Sequence, residues 1–328
     1  MNIGNNVRRL VAAGLLLCPA VWANVVQGQA SDWPSRPVTI IVPSAAGGAA
    51  DFTARAFASF ITKTYPQATV VVEDRPGAGG VIGTMAAKEA KPDGYTFLLS
   101  TNSTHAANLS LYKDLRYDPV KDFVPVGRFG TFGSVLMVPK ESSFDSVKDL
   151  VAYAKANPGR MSFGYYSSSS QVPAEMLKTA AGVTYEGAAY KNVTQIITDL
   201  IGKQFDFAFL DALSAAPALQ NDRLKPIGVT TPRRLPQLPA VPAIAETIPG
   251  YEMQGWLGLT APAGTPPAIV ETVSALMGKA MEDHEVRKAL EAKGLQAGFL
   301  PAREMKAFIA ADIVRWRDWI RLAKIQPN

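Results

Sequence analysis

Short apolar runs recur along this chain with helical stretches between them: Val38 to Val42, Ala68 to Val72, Thr96 to Ser100, Val135 to Val138, Phe205 to Leu210 and Leu224 to Val229. Such alternation specifies an α/β fold, because each strand hands the chain to a helix that must cover the sheet. The intervening helices carry apolar faces, for example Val147, Leu150 and Ala154 behind a cap at Asp145 or Ser146. In the C-terminal third the rhythm becomes helical. Thr265 caps a helix from Pro266 through about Glu282, and a second helix spans about Ala302 to Ala323. On the latter, Met305, Ile309, Ile313, Trp316 and Ile320 recur at three- and four-residue steps, so Trp316 and Trp319 are read as core packing. No internal repeat is visible.

The first thirty residues read as an export signal: Arg8 and Arg9, an apolar run from Leu10 to Leu17, and small residues suited to cleavage near Ala23 or Ala30. The expected location is therefore the periplasm. Cys18, the single cysteine, lies inside that segment, so a cleaved chain has no disulfide, cysteine nucleophile or thiolate metal site. Loss of Arg8 and Arg9 lowers the net charge from +5 to +3, too mild a balance to imply nucleic acid. A mature length of roughly 300 residues suggests about two domains. Two glycine-rich passages, Gly127 to Gly133 and Gln254 to Gly258, are read as crossings between them. The organisation expected is lobe 1 from 31–130 and 256–328, and lobe 2 from 131–255, with a ligand cleft between.

A strand that empties through Pro43 to Gly48 into a helix starting near Asp51 can aim N–H groups at an anion. Alone, a Gly47-Gly48 turn is more often a tight connection, and Asp51 reads first as a helix cap. The loop lacks the Lys and Ser/Thr of a phosphate loop and the glycine spacing of a dinucleotide site. A second polar loop, Ser100 to His105, follows the third strand, where parallel sheets place ligand crevices. A third segment, Phe163 to Gln171, offers serines for hydrogen bonds and Tyr165 or Tyr166 for stacking. The Pro76 to Gly80 run reads as a turn. The catalytic inventory is thin. His105 and His284 lie far apart, the Gly-x-Ser-x-Gly elbow is missing, and the Glu282 to Glu285 cluster is a solvated turn rather than a metal site. No cofactor or metal is expected. A secreted hydrolase using His105 and a serine, and a ligand sensor for a membrane receptor kinase, stand as alternatives to a binding protein.

Several passages in order, WPSRPVTIIVPSAAGGAAD, VVEDRPGAGGVIGTMAAKEAKPDGYT, YDPVKDFVPVG, AYKNVTQIITDLIGKQFDF and VPAIAETIPGYEMQGWLGLTAPAGTPP, resemble the extracytoplasmic solute-binding proteins of the tripartite tricarboxylate transporters, the Bug family. The resemblance implies a two-lobed periplasmic binding fold of the type II, Venus flytrap kind with a discontinuous first domain. It further implies a protein that closes on a small carboxylate and delivers it to large and small permease subunits, without catalysis, and a monomer suits such a shuttle. The ligand contacts implied are Ser44, Ala46, Gly47, Gly48, Asp51 and Phe52 from the first loop and Thr101, Asn102, Ser103 and His105 from the second. Lobe 2 is expected to add Tyr165, Tyr166, Ser167, Ser168, Gln171 and Asp211. Tyr165 and Ser167 stand where the family usually has glycine, and Gln171 near its usual histidine. With Phe52 these added rings point to an aromatic carboxylate, or a dicarboxylate, as the solute.

Overall fold

The computed structural model describes residues 33–220 and 222–327; the segment read as an export signal, 1–30, lies outside them. The chain divides into a unit Met1–Trp33, of which Trp33 alone is described, and a unit Pro34–Asn328 that holds every element below. Its strands are β1 (Val38–Val42), β2 (Val70–Asp74), β3 (Thr96–Thr101), β4 (Phe123–Phe132), β5 (Ser134–Pro139), β6 (Ser162–Tyr165), β7 (Glu186–Ala189), β8 (Phe207–Asp211), β9 (Leu224–Val229), β10 (Gly255–Pro262) and β11 (Gln296–Pro301). No described helix is long and apolar enough to cross a membrane.

The strands form two mixed sheets, each the centre of one lobe, ordered β11-β4-β10-β3-β1-β2 and β7-β6-β8-β5-β9. In the first, β1 runs parallel to β2 and β3, while β10 lies antiparallel between β3 and β4. In the second, β6 runs parallel to β7 and β8, while β5 lies antiparallel between β8 and β9. The five-strand order β2-β1-β3-β10-β4 thus reappears as β7-β6-β8-β5-β9. This repeat lives in backbone topology and not in residue identity, which is why the sequence reads as having none.

The glycine-rich passages read as crossings lie in strands that adjoin the passages of the chain between the two sheets. Gly127 and Gly130 sit inside β4 and Gly255 to Gly258 inside β10, two strands paired along their whole length. Glycine is required there by close approach: a Cβ on Gly130 would lie 2.4 Å from the Gln296 carbonyl, and one on Gly258 2.7 Å from the Gly127 carbonyl. The chain leaves the first sheet at Phe132 and enters the second at Ser134, with Gly133 alone between.

Ser146 caps the helix Val147–Ala156 by accepting from the Asp149 N–H, and Val147, Leu150 and Ala154 are buried. Thr265 is not a cap. The helix runs Pro267–Glu282 with Pro266 before it, and Thr265 Oγ1 donates to the Pro262 carbonyl instead. The last helix, Ala302–Leu322, buries Met305, Ile309, Trp316 and Ile320, and Trp316 packs edge-on against Trp319. A single apolar cluster joins Ala106, Ala107 and Leu111 of the first lobe to Leu136, Phe163 and Phe207 of the second through Trp316 and Ile320. The last helix therefore packs against both lobes.

Candidate functional site

Three parallel strands in each lobe end at one cleft of about 660 Å³, within the range of small-molecule sites. From the first lobe it is lined by Pro43 to Ala45 with Gly48 to Ala50 after β1, Pro76 to Gly80 after β2, and Thr101 to Thr104 after β3. From the second come Tyr165 to Ser169 with Gln171 after β6, Ala189 to Val193 after β7, and Asp211 with Ser214 after β8. The loops meet because parallel strands in register open all their C-terminal ends on one edge.

The first wall is built of backbone. The helix Ala49–Thr64 begins at Gly48, which has no side chain with which to cap it, and Gly48, Ala49 and Ala50 line the cleft. First-turn N–H groups have no carbonyl partner in their own helix, so this end presents donors and a partial positive charge. Asp51 occupies the third helical position rather than the cap. Its Oδ2 reaches back to accept from the Gly47 N–H at 2.8 Å, and Arg55 pairs with the same carboxylate. Gly47 is therefore spent on shaping the loop. Ser44 Oγ, also in the lining, has no hydrogen-bond partner among the described residues. The Pro76 to Gly80 loop packs onto this wall: at Gly80, φ +91°, a Cβ would lie 2.8 Å from the Thr104 methyl. Asn108 Nδ2 donates to the Gly79 carbonyl at 3.1 Å and holds the loop there.

The second wall is built of side chains. Ser170 Oγ accepts from the Tyr166 N–H at 2.9 Å and from the Ser167 N–H at 3.0 Å, fixing the approach to the helix Ser168–Ala181. Tyr166 donates its hydroxyl to Asp211 Oδ2, and Asp211 Oδ1 accepts from the Ser214 N–H at 2.8 Å. Burial raises the pKa of Asp211, opposed by those two hydrogen bonds, and burial with the Asp211 charge pushes the Tyr166 phenol well above its usual value. Tyr165, Tyr166 and Tyr190 contribute aromatic faces to this wall, and Tyr112 and Phe132 add two from the first lobe. Among the lining residues only Asp211 and Lys191 carry formal charge, and both belong to the second lobe.

Hydrogen bonds cross between the walls. Asn102 Nδ2 donates to Ser168 Oγ at 3.1 Å and to Ser169 Oγ at 3.0 Å, and the Ser103 and Ser168 hydroxyls bond at 2.8 Å. Asn102 Oδ1 accepts from the Trp256 N–H, anchoring the amide to β10.

Of the contacts expected from sequence, Ser44, Gly48, Thr101, Asn102, Ser103, Tyr165, Tyr166, Ser167, Ser168, Gln171 and Asp211 line the cleft. Ala46, Gly47, Asp51, Phe52 and His105 do not. Ala46 and Gly47 form the exposed outer bend of the loop. The Phe52 ring receives the Lys293 ammonium at 4.8 Å and so adds nothing aromatic to the site. His105 is wholly buried behind the lining, between Phe123 and Trp256, with Nδ1 bonded to Thr104 Oγ1 at 2.9 Å. Burial lowers its pKa to about 3, so it is a neutral core residue without access to a substrate, which removes the hydrolase alternative. The Pro76 to Gly80 run, read as a plain turn, is a wall of the cleft. Tyr112, Tyr190 and Lys191 were missed. Tyr190 and Lys191 follow β7, whose sequence EGAA is exposed throughout and carries no apolar strand signature. Among the described residues no group of three or more His, Cys, Asp or Glu gathers as a metal site.

Residues 53–325 match the model of the tripartite tricarboxylate transporter family receptors. The protein BugT of Bordetella pertussis is 31% identical over 97% of this chain and 98% of its own length. A solved R. palustris protein with adipate superposes with a TM-score of 0.88 at 31% identity, covering 90% of this chain and all of its own. MatC from Rhodopseudomonas palustris with bound malate superposes with a TM-score of 0.81 at 27% identity, covering 88% of this chain and all of its own.

Proposed function

The chain belongs to the tripartite tricarboxylate transporter receptor family, a family of periplasmic solute-binding proteins and not of enzymes, and we propose from that premise that it captures a small carboxylate between its lobes. The observation that carries this reading is the uncapped helix end at Gly48 to Ala50, which faces the cleft from a wall with no formal charge. A carboxylate at that end gains the N–H groups and the helix dipole, each contact contributing about 0.3–1 kcal/mol, or up to ~2 where partly buried. Ser44 Oγ supplies a further hydrogen bond. Adipate and malate in the structural neighbours support a carboxylate as the class of solute. The tyrosines of the cleft supply flat faces for the body of the solute.

The loaded protein, acting as a monomer after export, delivers its solute to a permease of one large and one small membrane subunit. Role as a subunit of transport, rather than as a sensor, follows the family. Thermal unfolding in the presence of adipate, malate, benzoate and nicotinate tests the capture step, because a ligand that binds only the folded state raises the midpoint in proportion to concentration over Kd. At least one of these acids should raise it. A flat response to all four at millimolar concentration, with the protein shown to be free of carried-over solute by native mass spectrometry, refutes the reading.

A further inference from the structure

The second-lobe side of the cleft holds a feature that carboxylate capture leaves unexplained. Asp211 is 6% exposed and lines the cleft, so a negative group has been placed in a site for anions. No cation among the described residues pairs with it. Its bonds come from the Tyr166 hydroxyl on Oδ2 and the Ser214 N–H on Oδ1. An N–H can only donate, so Oδ1 is an acceptor whatever else changes, and each oxygen keeps a lone pair beyond the bond it has. Lys191, the other charged residue of the lining, is exposed, and its charge is screened by water. Two carboxylates in close range at a buried site repel strongly, and an acceptor with spare lone pairs rewards a donor.

We infer that Asp211 sets the charge class of the solute: the cleft takes a monocarboxylate whose far end presents a hydrogen-bond donor, an amide, hydroxyl or ammonium, and it discriminates against a second carboxylate. This rests on the reading that the first lobe holds a carboxylate. The consequence separates this chain from neighbours whose structures hold the diacids adipate and malate. A diacid entering with one end at Gly48 would bring its other carboxylate toward Asp211, whereas the matching half-amide brings N–H donors of the same shape.

The test compares isosteric pairs by calorimetry: terephthalate against 4-carbamoylbenzoate, and adipate against its monoamide, on the intact protein and on Asp211→Asn. In the native protein the half-amide of at least one pair should bind tighter by about tenfold or more, equivalent to roughly 1.4 kcal/mol. In Asp211→Asn, which keeps an acceptor for the Ser214 N–H, that preference should collapse through a gain in diacid affinity. Diacids that bind the native protein as tightly as their half-amides overturn the inference, and that arm stands even if the variant fails to fold. An unchanged preference in folded Asp211→Asn overturns it equally. Both outcomes leave carboxylate capture intact; failure of all four compounds to bind overturns the inference alone, and the capture reading then stands or falls on the thermal shifts with malate, benzoate and nicotinate.

Discussion

Two helices that open onto the cleft, Ala49–Thr64 and Ser168–Ala181, start with the same device and different chemistry. In each, the third helical residue reaches back to the loop before it: Asp51 to the Gly47 N–H, and Ser170 to the N–H groups of Tyr166 and Ser167. In the first lobe the cap position is glycine, and what faces the solute is bare backbone. In the second the cap is Ser167, and what faces the solute is hydroxyl, phenol and carboxylate. One topology, used twice, therefore yields one wall with backbone dipoles at a helix end and one wall rich in polar side chains. On the proposed reading the first would hold the carboxylate common to many solutes, and the second would tell solutes apart.

Acid should separate the walls most sharply. His105, behind the first wall, has its pKa lowered by burial to about 3 from an unfolded value near 6.5. Between those values the unfolded chain binds a proton that the folded chain refuses, so stability falls as pH drops from about 6.5 toward 3, by up to ~1.4 kcal/mol per pH unit from this group. Asp211, in the second wall, has the opposite sign. Its folded pKa is raised, so the stability it withholds at neutral pH is restored as pH falls through that value, and acid does not weaken the second wall through it. Denaturant unfolding at pH 7, 6, 5 and 4 on the native protein and on His105→Gln checks this. The native protein should lose more stability across that range than the variant; equal slopes would mean that His105 is protonated in the fold.

The next largest effect is on binding. Gly48 has φ −86° and ψ 176°, open to any residue, and a Cβ there meets nothing closer than the Ala45 carbonyl at 3.7 Å. Gly48→Val should therefore fold with a loss of about 1 kcal/mol or less, chiefly from a poorer cap, while its branched side chain occupies the space in front of the first-turn N–H groups. Carboxylate affinity should fall by about a hundredfold, near 2.7 kcal/mol. Calorimetry and a melting curve on one sample decide it. Retained affinity would mean that the solute does not approach the helix end, and the contrast between the walls would lose its basis.

The sequence exposes the first wall more fully than the second for the same physical reason. Backbone recognition leaves a strand, a Gly-Gly loop and a helix start in fixed order, and β1 at Val38–Val42 is read from its apolar run to the residue. Side-chain recognition is carried by residues whose strands are short and weakly patterned. β7 has no apolar signature, so Tyr190 and Lys191 behind it are invisible until β7 is seen parallel to β6. The glycines of β4 and β10 are legible only as composition, because the close approach that demands them is between segments far apart in sequence. The resemblance carries His105 and Phe52 into the expected site together with the loops they adjoin. A helix face or a buried turn decides where a side chain points, and those depend on neighbours such as Trp256 and Lys293 that no local pattern reveals.

The smallest effect probes the seam between the walls. Asn102 belongs to the first lobe and donates to two serines at the start of the second lobe's helix, while its carbonyl is fixed by the Trp256 N–H. Removing it deletes two cross-lobe bonds of net worth about 0.5–1.5 kcal/mol each at most. Ser103 keeps its bond to Ser168, and the apolar cluster around Trp316 packs against both lobes, so Asn102→Ala should still fold. What changes is the balance between joined and parted lobes, shifted by about 1–2 kcal/mol. Small-angle scattering without added solute should show a larger radius of gyration for the variant than for the native protein, and saturating solute should bring the two together. Because the comparison is made without solute, loss of a direct contact from Asn102 to the ligand cannot produce it. Identical radii would show that Ser103 and that cluster suffice to set the lobe arrangement, and that the walls are coupled through the core rather than across the cleft.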